Sequence, residues 1–237
     1  MSGQCSKRGE AILKLKLLDL VEHAYRQEQI FIQSLSDEER SGVGTLERWS
    51  AKDTIAQIAA WKERAAQVLA ALQSDQPGLD FDDLNQFNAR IFKEHQNLTW
   101  NDVLDKSRQA YRFLWEQTEA TPDDVLAVPE PSDRHNEPVW WFVVGVGCNH
   151  SLGHLAQYHI EQGNATLAVE MQEQVAGPLL QLDEGPDWQS LVHYGLAIYY
   201  AAAGQPEKAI HVLHEAFRLN PGLVERSKED PRLASVC

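Results

Sequence analysis

The chain has 237 residues, of which 43% are hydrophobic and 24% charged, the balance of an ordinary globular protein. A formal net charge of −14, from 35 acidic and 21 basic residues, argues against nucleic-acid binding, which needs a basic stripe along the phosphates, and disfavours anionic membranes. This length accommodates one large domain, or a domain with an appendage. Cys5, Cys148 and Cys237 lie far apart and form no CxxC, so a reducing compartment is expected rather than a disulfide framework. The segment from Met1 to Gly9 lacks the apolar core of a signal peptide, and Val139 to Val146 is too short to cross a bilayer. The expected location is the cytoplasm.

In chain order, residues 10–35 place Ile12, Leu15, Leu17, Leu18, Val21, Tyr25, Ile30 and Ile32 at helical spacing, with His23 a partly exposed residue of that helix. Turn formers follow, and the acidic residues near 36–39 read as solvated surface. Ser50, followed three residues on by Asp53, predicts a capping box with Trp49 as a staple in front of it. That helix is expected to reach Leu72, with Ile55, Ile58, Ala59, Val68 and Leu72 inward, and to break at Gln76-Pro77-Gly78. A shorter amphipathic helix spans 82–96, and Thr99 caps another through Glu119.

Four prolines between 120 and 138 predict an irregular connection that frames one end of a bundle, with Asp123 and Asp124 at the surface. A helix from Trp140 to Gln162 is then expected to stop at Gly163-Asn164. No stretch alternates with period two, so residues 1–165 read as an all-α bundle of four long helices. Residues 166–237 differ in character. Thr166 to Val175 predicts one further helix, with Gly177-Pro178 and 183–186 as punctuation. Leu196, Ala197, Tyr200, Gly204, Ala209, Leu213, Ala216 and Pro221 then recur with the spacing of one tetratricopeptide repeat. Small residues at 197, 209 and 216 let two helices approach closely, and Tyr199, Tyr200, Leu213 and Phe217 are the expected buried contacts.

The chemistry-bearing stretch is Cys148 to His159. His150 and His154 are four apart and share a helix face, a spacing at which two imidazoles can hold one zinc, nickel or iron ion. Gln157 falls near the face of His150 and His159 on the opposite side. Cys148, two residues before His150, lies on another face and reads as a buried thiol. Trp61, Trp140, Trp141 and Tyr158 are either cavity lining or plain core, and Asn88 either a pocket amide or a surface residue.

The run from Trp49 to Trp61, the Asn88-x-x-Ile91 segment and His150-x-x-x-His154 resemble the DinB-like four-helix bundles, most similarly the ClbS/DfsB branch, over residues 10–165. The wider superfamily includes metal-dependent thiol S-transferases and detoxification proteins. Its metal is held by one histidine on the second helix and a His-x-x-x-His pair on the fourth. Here His150 and His154 match the pair, while Gln57 stands at the first position. An amide is a weaker ligand than an imidazole for late transition metals. The ClbS/DfsB branch is metal-free, with a known member that protects its host from a reactive genotoxic metabolite.

The resemblance implies a small-molecule-directed stress or self-protection protein in which Gln57, His150 and His154 form the polar floor of a pocket between helices. Trp61, Asn88 and Tyr158 would be further substrate contacts. If the protein is an enzyme, the implied chemistry is hydrolysis or thiol transfer on an electrophile, with His150 or His154 as general base. No cofactor is expected; the metalloenzyme alternative places zinc, nickel or iron on His150, His154 and Gln57. The other alternative is a non-catalytic interaction protein whose repeat binds a protein partner or a second copy of the chain.

Overall fold

The computed structural model describes residues 2–74, 84–129 and 137–236. The expected break at Gln76-Pro77-Gly78 lies outside them. The described residues are helical throughout, with no strand and only an isolated bridge between Pro129 and Pro138. Two compact units are present, Met1–His154 and Leu155–Cys237; the sequence reading divides the chain at 165/166.

In the first unit, α1 (Ser2–Ser34) buries Leu17, Leu18, Leu20, Val21, Ala24, Phe31 and Ile32, while Leu15 and Ile30, expected inward, are exposed. A short helix that the sequence reading did not foresee, α2 (Asp37–Ser41), starts at a Ser36–Glu39 capping box. The acidic run at 36–39 therefore has a local structural role besides its exposure. In α3 (Ala51–Gln73) the expected box is present: Ser50 Oγ accepts from the Asp53 N–H at 3.2 Å, and Asp53 Oδ2 accepts from the Ser50 N–H at 2.9 Å. Trp49, expected as the staple in front of this helix, also reaches a neighbouring one. Its ring meets Phe92 of α4 (Leu84–His95) at 5.7 Å, and its Nε1 donates to the Leu46 carbonyl.

Thr99 and Asp102 form a third box at the head of α5 (Trp100–Ala120). The proline-rich connection contains a short α6 (Asp123–Ala127), and Asp123, expected at the surface, is half-buried and paired with Lys14 of α1 at 3.2 Å. The last long helix of the sequence reading is interrupted. It consists of α7 (Val139–Val144), a π-helical turn (Gly145–His150) and α8 (Ser151–Glu161), within which the boundary between the units falls. Gly145 and Gly147 weaken the α-helical preference there, and a side chain at Gly147 would meet Leu114 Cδ2 at 3.0 Å and Val21 Cγ2 at 3.1 Å. The missing Cβ thus lets the turn press against α1 and α5.

These pieces close a circuit: α3 lies along α5, α1 packs on α5, and the π turn packs on both α1 and α3. α3 is buried on almost every side of its first half, from Ala51 through Lys62. Inside the circuit sits a pair of charges. Lys62 Nζ is 2.6 Å from Glu28 Oε2, with side-chain exposures of 1% and 0%, and Ser107 Oγ donates to the other carboxylate oxygen. The ammonium also lies 5.6 Å from the ring centre of Tyr25, which stacks on Tyr111 at 3.9 Å. Pairing, the hydroxyl and the aromatic face together offset the desolvation that burying both charges costs.

In the second unit, α9 (Ala165–Leu180) runs through Gly177-Pro178 instead of stopping there. Pro178 takes one donor, the one owed to the carbonyl a turn earlier, out of the ladder. The helix end itself is supported separately, its last carbonyls receiving donors from the next helix: Trp188 Nε1 donates to Leu179 O and Gln189 Nε2 to Leu180 O, both at 2.6 Å. The next helices are α10 (Pro186–Ala202) and α11 (Pro206–Leu219), joined through Gly204 at φ +66°, a left-handed conformation that glycine adopts freely. Ala197, Ala209 and Ala216 are fully buried between them. α12 (Leu223–Glu229) and a 3₁₀ turn (Pro231–Leu233) supply Leu223 and Leu233 to the same core, and α9 supplies Val169.

Candidate functional site

Four of the sequence-derived site residues in the first unit join through one continuous set of contacts with a fifth. Asn88, on α4, offers its Oδ1 to two donors of α3: Gln57 Nε2 and Trp61 Nε1, each at 3.1 Å. The two donors are four residues apart, one helical turn, which is why a single amide oxygen can bridge them. The Trp61 ring meets His150 at 5.2 Å, and His150 meets His154 edge-to-face at 4.4 Å. Phe87, on α4, closes the other side of Trp61 at 4.7 Å. Gln57 and Trp61 are buried, whereas Asn88, His150 and His154 remain partly accessible.

Burial sets the electrostatics. It pushes the His150 imidazole down to about 3, helped by His154 and by Lys62, and the His154 imidazole down to about 4. Both are therefore neutral at pH 7, whereas unperturbed imidazoles titrate near neutrality. His150 Nε2 is buried with no hydrogen-bond partner, an arrangement that costs free energy unless something beyond the protein's own side chains satisfies it.

Tyr158 belongs to the second unit, where its ring meets His159 at 6.3 Å. Gln157, expected near the face of His150, is exposed and donates to Glu161 at 2.8 Å. His159, expected opposite, is buried. Cys148 is the buried thiol that its position implied, and burial pushes it up to about 12, far from thiolate reactivity. Trp140 and Trp141 pack on each other at 5.8 Å.

As a metal centre the donor set is short. The described residues contain no converging group of three or more His, Cys, Asp or Glu side chains. The amide at the third position donates through its nitrogen to Asn88 and could offer a metal only its oxygen, a weaker ligand than an imidazole. Two imidazoles and one amide fall below the three imidazole or carboxylate ligands that catalytic zinc sites use.

Sequence reasoning missed three features of this region: the π turn that carries His150, the Phe87 edge, and the Lys62–Glu28 pair behind Trp61. The last had a signal. Lys62 continues the inward run Ile55, Ile58, Ala59, and Glu28 falls between the inward residues Ala24 and Phe31, so each charge occupies a position of an apolar stripe.

In the second unit, Tyr200 and Leu213 are buried as expected, while Tyr199 and Phe217 are partly buried against them. Leu196 also packs on this cluster. These contacts form the interior of the repeat. Tyr200 donates to Glu173 of α9 at 2.7 Å, and Lys208 of α11 reaches the same carboxylate at 3.3 Å and sits 5.0 Å from the Tyr200 ring. At the other end, Tyr194 donates to Asp230, whose carboxylate also receives both Arg232 Nε and Nη2.

Residues 190–223 match the tetratricopeptide repeat family model. They span the greater part of α10, all of α11 and the first residue of α12. Neither a curated protein nor a solved structure matches the chain. No helix among the described residues is long and apolar enough to cross a membrane.

Proposed function

We propose that the first unit is a DinB-like four-helix bundle of the ClbS/DfsB kind that binds a small molecule against Gln57, Trp61, Asn88, His150 and His154, without a metal, in a reducing cytoplasm. The observation that carries this reading is His150 Nε2, buried and unpartnered beside an amide–indole bridge built from two other helices. A molecule that hydrogen-bonds that nitrogen removes the penalty and gains the Trp61 face. Neutral imidazoles of this kind serve first as acceptors and positioning groups. Hydrolysis or thiol transfer on an electrophile is the reaction class the resemblance implies, and an imidazole held at about 3 serves it by accepting a hydrogen bond from a water or thiol and orienting it rather than by keeping its proton.

A thermal-shift screen of small uncharged molecules against the intact chain tests this. Compounds that raise the melting temperature are expected to lose their effect in Asn88→Ala, which removes the bridge without adding a charge. Stabilisation that survives in Asn88→Ala and in His150→Ala, or none from any compound, overturns the reading.

The second unit supports a separate role in protein interaction, carried by the repeat match over 190–223. Leu167 of α9 and Ile210 of α11 are its large exposed apolar residues, at 43% and 40%. Light scattering of the intact chain tests the second-copy form of this role. A dimer lost in Ile210→Asp or Leu167→Asp supports it, and a monomer at all concentrations removes it.

A further inference from the structure

The five-residue wall is uncharged in every contact it makes. Among the described residues, Gln57 and Trp61 bond to Asn88, Trp61 meets Phe87 and His150, and His150 meets His154. Two cations beside the wall, one of which acts on His150 electrostatically, are already engaged. Lys62 is paired with Glu28 inside the core, and Arg90, at the surface, lies over Phe87 with 5.1 Å to the ring centre. A charged ligand would give up its hydration at this wall and find no countercharge, a loss that hydrogen bonds to neutral groups do not recover. An anion would in addition approach a chain of net charge −14.

The polar inventory of the wall is also specific. Asn88 Oδ1 accepts two hydrogen bonds, one for each of its lone pairs. The amide nitrogen of Asn88 then remains as a donor and the amide oxygen of Gln57 as an acceptor, on the two sides of the bond that joins them. His150 Nε2 adds one more unfilled position. A planar amide or lactam, which carries a donor and an acceptor side by side, matches the two amides.

We infer that this wall takes an uncharged ligand bearing a planar amide or lactam group, and that it turns away charged isosteres of the same shape. The inference rests on the small-molecule reading above and adds the chemical class.

Three probes of nearly equal shape test it: benzamide, benzoate and benzamidine, which are neutral, anionic and cationic. Each is titrated into the intact protein at pH 7.5 while the imidazole signals of His150 and His154 and the indole signal of Trp61 are followed by NMR. Benzamide is expected to shift all three signals saturably, with benzoate and benzamidine at least ten-fold weaker. In Asn88→Asp, which places a carboxylate in the wall, benzamidine is expected to overtake benzamide. Benzoate or benzamidine binding the unaltered wall as well as benzamide does would overturn the inference and leave the small-molecule reading standing. If none of the three moves these signals, that reading falls and the inference with it.

Discussion

Replacing Lys62 by methionine isolates the buried pair that supports the site from behind. The aliphatic stem is retained and the ammonium removed, so Glu28 keeps a carboxylate with no exposure and only the Ser107 hydroxyl on it. Stranding one member of a buried ion pair costs about 3–5 kcal/mol. For a unit of roughly this size that is a fall in melting temperature of about 6–20 °C. Ser107→Ala removes one hydrogen bond to the same carboxylate and should cost about 1.5–3 kcal/mol. The double variant Glu28→Gln/Lys62→Met carries no buried charge and leaves an amide to meet Ser107. It should be more stable than Lys62→Met alone, with a coupling of about 2 kcal/mol or more in the cycle. Urea unfolding followed by circular dichroism at 222 nm gives all four free energies. A Lys62→Met variant within about 1 kcal/mol of the parent, or a double variant no better than the sum of the singles, would refute the account of a desolvated pair.

The histidines make stability depend on pH in a fixed direction. Their folded values, about 3 for His150 and about 4 for His154, lie below the ordinary 6.5. The unfolded chain therefore takes up protons below about pH 6.5 while the fold does not. Their contribution is complete above that pH and declines as pH falls towards 4 and then 3, by up to about 1.4 kcal/mol per unit for each residue. Urea midpoints between pH 8 and 5 should fall less in His150→Gln/His154→Gln than in the parent, and equal slopes would contradict the burial argument. At the head of α3, Ser50→Ala should cost about 1 kcal/mol. Gly44→Ala should cost more, since an added Cβ would lie 2.2 Å from Asp53 Oδ2 and 2.4 Å from Ser50 N; thermal melts that rank the two in reverse would contradict this. Asp230→Asn should loosen the end of the second unit. The Arg232 guanidinium and the Tyr194 hydroxyl hold the Asp230 carboxyl at about 2, so its contribution is present above about pH 4 and lost as pH falls towards 2. Faster amide exchange over 223–236 at pH 7 is the expected readout, and unchanged exchange would exclude the clamp.

Much of the architecture was legible because it follows from local chemistry. Ser50 with Asp53 and Thr99 with Asp102 announce helix starts that depend on three consecutive peptide units and nothing distant. The repeat was legible for a similar reason: Ala197, Ala209 and Ala216 are small where two neighbouring helices touch. Gly177-Pro178 misled because a proline this near the end removes a single ladder donor, while the carbonyls at the end are satisfied by Trp188 and Gln189, from the next helix. Within the site, the His150–His154 pair was visible from spacing alone, but its protonation state was not, since that depends on burial by helices distant in sequence. The role of Asn88 likewise required knowing that α4 lies beside α3. Lys62 and Glu28 stood in apolar stripes as visible anomalies, and only their 2.6 Å separation explains them.

The π turn at Gly145–His150 bears on how this chain should be aligned with others. An α-helix advances about 100° per residue, and a π turn absorbs the equivalent of one inserted residue. His154, which follows the turn, is therefore rotated by about that angle relative to a continuous helix started at Val139, while His150 closes the turn itself. A gapless alignment with a chain that lacks the turn would set the residues beyond Gly145 one place out of phase. It would then assign the wall to the wrong neighbours. Matching His-x-x-x-His by pattern hides this, because the turn leaves the four-residue spacing in the sequence unchanged.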